Sequence, residues 1–227
     1  AKELMHQKIC FLFITSLFFS SSLTEQLIDR TASANEPTKS SWNQFRGPTA
    51  DGRSPSKKLP TQWDETRNVC WKTPIPGKAW SSPVVSGDTI WLSNATEDGQ
   101  RLSLLAVNSE TGTIRKDITV FEIEEPKFCH PFNSYASPTP VVADGFIFIH
   151  YGSAGTACIN TKTENIVWAR QDLPCDHHRG PGSSPIFFDD KIFLNFDGYD
   201  QQYVVALDAK TGKTIWRTDR SIQYGSD

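Results

Sequence analysis

None of the apolar runs in this sequence is long enough to cross a membrane. The most apolar stretch, residues 9–19, is eleven residues, against the roughly 20 that a bilayer core requires. Positive charge is not in excess either: 23 Lys+Arg stand against 26 Asp+Glu, for a formal net charge of −3. That balance leaves no basic face for phosphate backbones, so nucleic acid is not expected as a partner. Cysteine is sparse, at five in 227 residues, too few for a disulfide scaffold, so the fold must rest on an apolar core. Methionine occurs once, whereas Trp 7, Phe 14, Gly 14 and Pro 14 are plentiful. An aromatic, turn-rich composition of this kind favours many short strands, and an all-β fold is expected.

Residues 1–34 read as a secretory signal peptide. Met5, His6, Gln7 and Lys8 form a basic lead, residues 9–19 the apolar core, and Ala32-Ser33-Ala34 a small-residue cleavage pattern. The chain is therefore expected to be exported, to a periplasmic or extracellular compartment where Cys70, Cys129, Cys158 and Cys175 meet oxidising conditions. Residues 35–68 are polar and Pro-rich, with Trp42, Phe45 and Trp63 as isolated aromatics, and read as an N-terminal arm lying on a core.

From residue 69 to 227 the sequence repeats. Leu105-Ala106-Val107-Asn108-Ser109-Glu110-Thr111-Gly112 aligns without gaps with Ala157-Cys158-Ile159-Asn160-Thr161-Lys162-Thr163-Glu164 and with Val205-Ala206-Leu207-Asp208-Ala209-Lys210-Thr211-Gly212. Their last residues lie 52 and then 48 positions apart. Five residues beyond each Thr stand Lys116, Trp168 and Trp216, and Trp71 marks the tail of one more unit. A second landmark recurs in phase: Ser81-Ser82-Pro83-Val84-Val85, Ser137-Pro138-Thr139-Pro140-Val141-Val142 and Ser183-Ser184-Pro185-Ile186-Phe187. Each is followed by a turn signal and a β-rich run, so each unit is a four-stranded meander, A to D. Four-stranded units at a period of 40 to 50 residues are the signature of a β-propeller.

The recurring Ala-x-Asp/Asn-x-x-Thr-Gly, with Trp five residues after the Thr and clearest over residues 206–216, resembles the repeat of the pyrroloquinoline-quinone-like (quinoprotein-type) β-propellers. That exported bacterial superfamily spans quinoprotein dehydrogenases and the lipoprotein scaffold of outer-membrane protein assembly. The resemblance implies antiparallel four-stranded blades in which Trp71, Trp168 and Trp216 pack on the neighbouring blade, while Gly112 and Gly212 make the C–D turns. Lys116 stands where Trp is expected and Glu164 where Gly is, so the first two units should be less regular. A closed ring needs at least four blades, roughly 200 residues or more. Residues 71–227 therefore supply about three blades of an incomplete ring, the front part of a longer chain.

In a meander the B–C loops and D–A crossovers share one face, which collects Trp80, His130, Asp176, His177, His178, Arg179 and Tyr199 as binding-face candidates. If His130 shares a site with His177 or His178, two imidazoles and Arg179 would favour an anionic or hydroxyl-rich ligand. Cys129 and Cys175 precede the Ser-Pro landmark by similar distances and form a possible disulfide. With His130 and His177 they are plausible metal ligands but lack a short paired Cys spacing, so no metal site is expected. Cys70 and Cys158 read as core thiols, and Asn94-Ala95-Thr96 matches a glycosylation acceptor. Catalytic residues remain unassigned. The expected role is a binding or scaffold module for a protein, peptide or glycan. The alternatives are a dehydrogenase dependent on pyrroloquinoline quinone, a cofactor that enters through the resemblance alone, and a structural domain of a larger protein. Such dehydrogenases carry adjacent cysteines, calcium ligands and an Asp base, and no two cysteines are adjacent here.

Overall fold

Twelve strands form three four-stranded antiparallel sheets, each a meander in chain order. The computed structural model describes residues 41–57 and 59–221, so the signal-peptide reading falls outside the described residues. Blade 1 comprises β1 (Val84–Ser86), β2 (Thr89–Ala95), β3 (Arg101–Asn108) and β4 (Ile114–Glu122). Blade 2 comprises β5 (Val141–Ala143), β6 (Phe146–His150), β7 (Thr156–Asn160) and β8 (Ile166–Arg170). Blade 3 comprises β9 (Ile186–Phe188), β10 (Lys191–Asp197), β11 (Gln202–Asp208) and β12 (Thr214–Asp219). β1 touches β5 and β5 touches β9, so the short first strands lie innermost. This is the expected all-β architecture: about three propeller blades, unclosed among the described residues.

A middle blade has neighbours on both sides, so both of its faces must be apolar. Blade 2 shows this directly. Val142, Ile147, Ile149, Tyr151, Ala157 and Ile159 pack with Trp91, Leu102, Leu104 and Phe121 of blade 1. Its alternate residues Val141, Phe148 and Cys158 pack with Ile192, Leu194, Phe196, Tyr203 and Leu207 of blade 3. Each fully buried aliphatic or aromatic side chain contributes about 1.5–3 kcal/mol, so these two seams carry the stability of the array. Cys158 is buried as expected, but Cys70 is exposed, because residues 61–70 precede the first sheet and pack on nothing.

The two sequence landmarks have separate structural jobs. The hydroxyl residue before each inner-strand proline links blades: the Ser82 amide donates to Thr139 Oγ1 and the Thr139 amide to Ser184 Oγ, both at 3.0 Å. Trp42 continues this inner layer by exchanging two 2.9 Å backbone bonds with Val85, and the Asn43 carbonyl accepts from the Val142 amide. The Asp/Asn-x-x-Thr-Gly segment closes the C–D turn. Oδ1 of Asn108, Asn160 or Asp208 accepts the amide of the Thr three residues on. The backbone carbonyl of that same Asn or Asp accepts the amide of the residue four on. A β-bulge falls at the same repeat position each time, after Ala106, Cys158 and Ala206.

The tryptophans dock across the seams. Trp71 Nε1 donates to the Ser109 carbonyl at 3.1 Å and Trp168 Nε1 to the Ala209 carbonyl at 2.8 Å. Their rings lie on Gly112 (φ +72°) and Gly212 (φ +71°), where a Cβ would stand 2.4 Å and 2.7 Å from the indole. Only glycine suits a backbone that is both left-handed and pressed against a ring. Trp216 packs on Phe193 of its own blade and is 40% exposed.

The seam between blades 1 and 2 departs from this pattern at both partners at once. Lys116 stands in place of the indole, Glu164 (φ +59°) in place of the glycine, and the two form a salt bridge of 3.3 Å. The departures that the sequence shows singly are thus a reciprocal replacement. Lys116 is exposed and Glu164 partly so, and such a pair is worth about 0–1 kcal/mol. A Lys116→Trp/Glu164→Gly double variant is expected to be more stable than the parent by about 2 kcal/mol in urea unfolding, since it gains indole burial and loses a left-handed non-glycine. Lys116→Trp alone should gain nothing, because the Glu164 Cβ occupies the indole's place. A double variant no more stable than Glu164→Gly would refute this account.

Candidate functional site

A cavity of about 230 Å³ opens on the face shared by the B–C loops and D–A crossovers, where blade 1 meets blade 2. The crossover after β4 supplies Ile123, Glu125, Pro126, Lys127, Phe128 and Tyr135. The β6–β7 loop adds Tyr151, Ser153 and Ala154, and the crossover after β8 adds Gln171, His177, Gly180 and Pro181. Gly99 completes the wall, with the Tyr135 ring against it. At its lip Phe128 is 67% exposed, and the His130 ring stands between Phe128 and the still more exposed Phe132.

Most polar side chains of the wall are tied into the fold, the exposed Glu125 carboxylate excepted. The Tyr151 hydroxyl donates to the Ser103 carbonyl at 2.6 Å, and the Tyr135 hydroxyl to the Lys127 carbonyl at 2.9 Å. Lys127 Nζ donates to the Cys175 carbonyl at 3.0 Å, and Gln171 Nε2 to the Ala154 carbonyl at 3.1 Å. His177 Nε2 accepts the Ser153 amide at 3.1 Å, so its proton sits on Nδ1, which faces the Cys175 thiol at 3.6 Å. Burial, aided by Lys127, holds the His177 pKa below the ordinary imidazole value, and the ring is neutral near pH 7. Burial also pushes the Cys175 thiol up to about 11, so it is no nucleophile at neutral pH.

Of the seven binding-face candidates, only His177 lines this cavity. His130 Nδ1 accepts the Phe132 amide of its own loop. His178 is taken by the Tyr199 hydroxyl and by Arg179 Nε. Asp176 works through its backbone, its amide bonded to Asp200 Oδ1 and its carbonyl to the Tyr199 amide. Trp80 and Tyr199 are exposed and do not line the cavity. The three imidazoles are engaged separately: His130 within its own loop, His177 by the Ser153 amide of the β6–β7 loop, and His178 by Tyr199 and Arg179.

Cys129 and Cys175 are both free and do not pair: Cys175 Sγ is buried against His177 and Gly198, whereas Cys129 Sγ lies on Gly180 facing the Arg179 carbonyl. Asn94 is only 3% exposed in β2, so its amide is closed to a glycosyl donor in the folded chain. His150 escaped the sequence reading altogether. It is fully buried, with Nδ1 on Thr156 Oγ1 at 2.7 Å and its edge on Phe196, which also stacks with the His177 and Tyr203 rings. Within the apolar run of β6 it reads as filler, and nothing in the sequence distinguishes it.

Residues 134–218 match a family model described as outer membrane protein assembly factor BamB. Over these residues the chain carries the repeat of the PQQ-like β-propeller family. Among solved structures, it is similar to quinohemoprotein alcohol dehydrogenase from Comamonas testosteroni, with 16% identity and a TM-score of 0.49 over 63% of this chain and 21% of that one. BamB from Moraxella catarrhalis gives 15% identity and a TM-score of 0.45 over 68% of this chain and 43% of that one. Quinohemoprotein alcohol dehydrogenase from Pseudomonas putida HK5 gives 19% and 0.47 over 66% and 22%. This chain thus spans between about a fifth and less than half of the length of these structures. No curated protein matches it.

The PQQ-like family raises the question of a quinone. The described residues do not fit one: no two cysteines are adjacent, and no three His, Cys, Asp or Glu side chains converge to hold its metal ion. No helix among the described residues is long and apolar enough to cross a membrane.

Proposed function

We propose that this chain is an exported binding module, and that its loop-face cavity receives an apolar group from a protein or peptide. One observation carries the reading: a largely apolar cavity whose wall side chains, apart from the Glu125 carboxylate and the Ser153 hydroxyl, are already bonded within the fold, with an exposed Phe128 at its mouth. Such a wall offers shape and apolar contact rather than a poised acid, base or nucleophile. The volume lies below the roughly 300–1,000 Å³ of pockets for drug-sized ligands, and suits a single large side chain. Export rests on the N-terminal leader pattern, and the family match is to a protein described as an assembly factor.

The test is selection of binders from a random peptide phage library on the intact chain, with Ala154→Trp and Gln171→Trp as cavity-blocking variants. Enriched peptides are expected to bind the parent and to lose about tenfold in affinity on either variant. A library that yields nothing, or peptides indifferent to both substitutions, would overturn the reading. In parallel, pyrroloquinoline quinone with calcium is added and the protein desalted. A retained quinone absorbance would favour the dehydrogenase instead.

A further inference from the structure

Carboxylates gather on one lip of the cavity and nowhere else around it in such number. Glu122 ends β4, Glu124 and Glu125 follow on the crossover, and all three are exposed. Glu97 and Asp98 stand on the adjoining β2–β3 turn, close enough for Asp98 to act on the Tyr135 hydroxyl. None of these five is in a salt bridge among the described residues. The cations beside them are engaged elsewhere: Arg101 in a bidentate pair with Asp117, and Lys127 on the Cys175 carbonyl. A shallow groove lined by Gln100, Arg101, Glu122 and Glu124 runs on from the cavity through their shared Ile123. Along the same lip the chain bends at Glu124 and Glu125 as it leaves β4, and no hydrogen bond among the described residues uses the backbone of Glu124, Glu125 or Phe128.

We propose that the occupant is an extended peptide segment in which an apolar side chain, seated in the cavity, is flanked by arginine or lysine that the acidic lip receives. This deepens the binding-module reading and rests on it. The cavity selects the apolar side chain by size, the free carboxylates select the flanking charge, and the unpaired backbone offers the peptide main chain its hydrogen bonds. Lys127, the cation among the lining residues, is held on the Cys175 carbonyl and turned away from an incoming chain's charge only by that bond, so the five carboxylates outnumber it at the lip.

The experiment compares two fluorescein-labelled octapeptides by anisotropy at low salt, each with a central leucine-phenylalanine pair, one flanked by arginines and its twin by glutamates. The arginine peptide should bind at least about tenfold more tightly, and the gap should shrink as salt rises. In a Glu122→Gln/Glu124→Gln/Glu125→Gln variant, which alters only exposed side chains, the preference should fall to about threefold or less. If both peptides bind equally and both are lost on Ala154→Trp or Gln171→Trp, the cavity is a site but the charge assignment is wrong. An unchanged preference in the triple variant overturns it as well. If neither peptide binds, the binding-module reading falls with it.

Discussion

Lowering the pH from 6.5 to 4.5 is expected to cost this fold about 3 kcal/mol, most of it at His150. The ring is fully buried and its pKa is pushed down to about 3, chiefly by desolvation and further by His177. An unfolded chain takes up this proton near pH 6.5, so between pH 6.5 and 3 the unfolded state binds more protons than the folded one. Stability is therefore complete above pH 6.5 and falls as the pH falls through that window. His177, shifted in the same direction, adds to the slope. The carboxylates held below their usual range, such as Asp117, Asp200 and Asp208, lose their contribution only below about pH 4. The interval from 6.5 to 4.5 consequently isolates the imidazoles. Urea midpoints measured across it should drop steeply for the parent and much less for His150→Gln, which can keep a polar partner for Thr156. Equal slopes would show that His150 is not the cause.

Removing the Trp168 side chain should be about as costly, roughly 3 kcal/mol, from lost indole burial and the hydrogen bond to the Ala209 carbonyl. Gly212→Ala should cost a similar amount for two reasons that can be separated. A left-handed alanine carries about 1–2 kcal/mol of strain, and its Cβ would meet the indole at 2.7 Å. The three nearest atoms to that Cβ all belong to Trp168. In Trp168→Ala the added methyl meets open space, so only the backbone strain remains. The double variant should therefore be less destabilised than the two single effects combined, by at least about 1 kcal/mol in equilibrium urea unfolding. Strict additivity would mean that the indole does not rest on Gly212.

The blades were legible because each repeat residue answers a local demand: Asp208 caps its own turn, Gly212 turns left-handed, and Ser184 accepts an amide from the next inner strand. Such demands leave marks at a fixed spacing. The loop face was legible too, since alternation of connections follows from the meander alone. Which loop side chains share a cavity was not, because that depends on three crossovers meeting in space. Tyr135 and Ala154 carry no spacing signal, whereas His130 and His178, conspicuous by type, are bonded to groups outside the cavity. Lys116 and Glu164 were read as separate lapses from the repeat, and only their contact shows that one answers the other.

That contact gives the two interblade seams different physics. Across the second seam an indole holds the sheets by dispersion and exclusion of water, forces that added salt does not weaken. Across the first, the corresponding position is held by Coulomb attraction through solvent, which mobile ions screen. The cavity lies at the mouth of this first seam. Added salt should therefore weaken only this one position, by at most about 1 kcal/mol, while the apolar side chains buried in both seams keep the blades, and the cavity between them, in place.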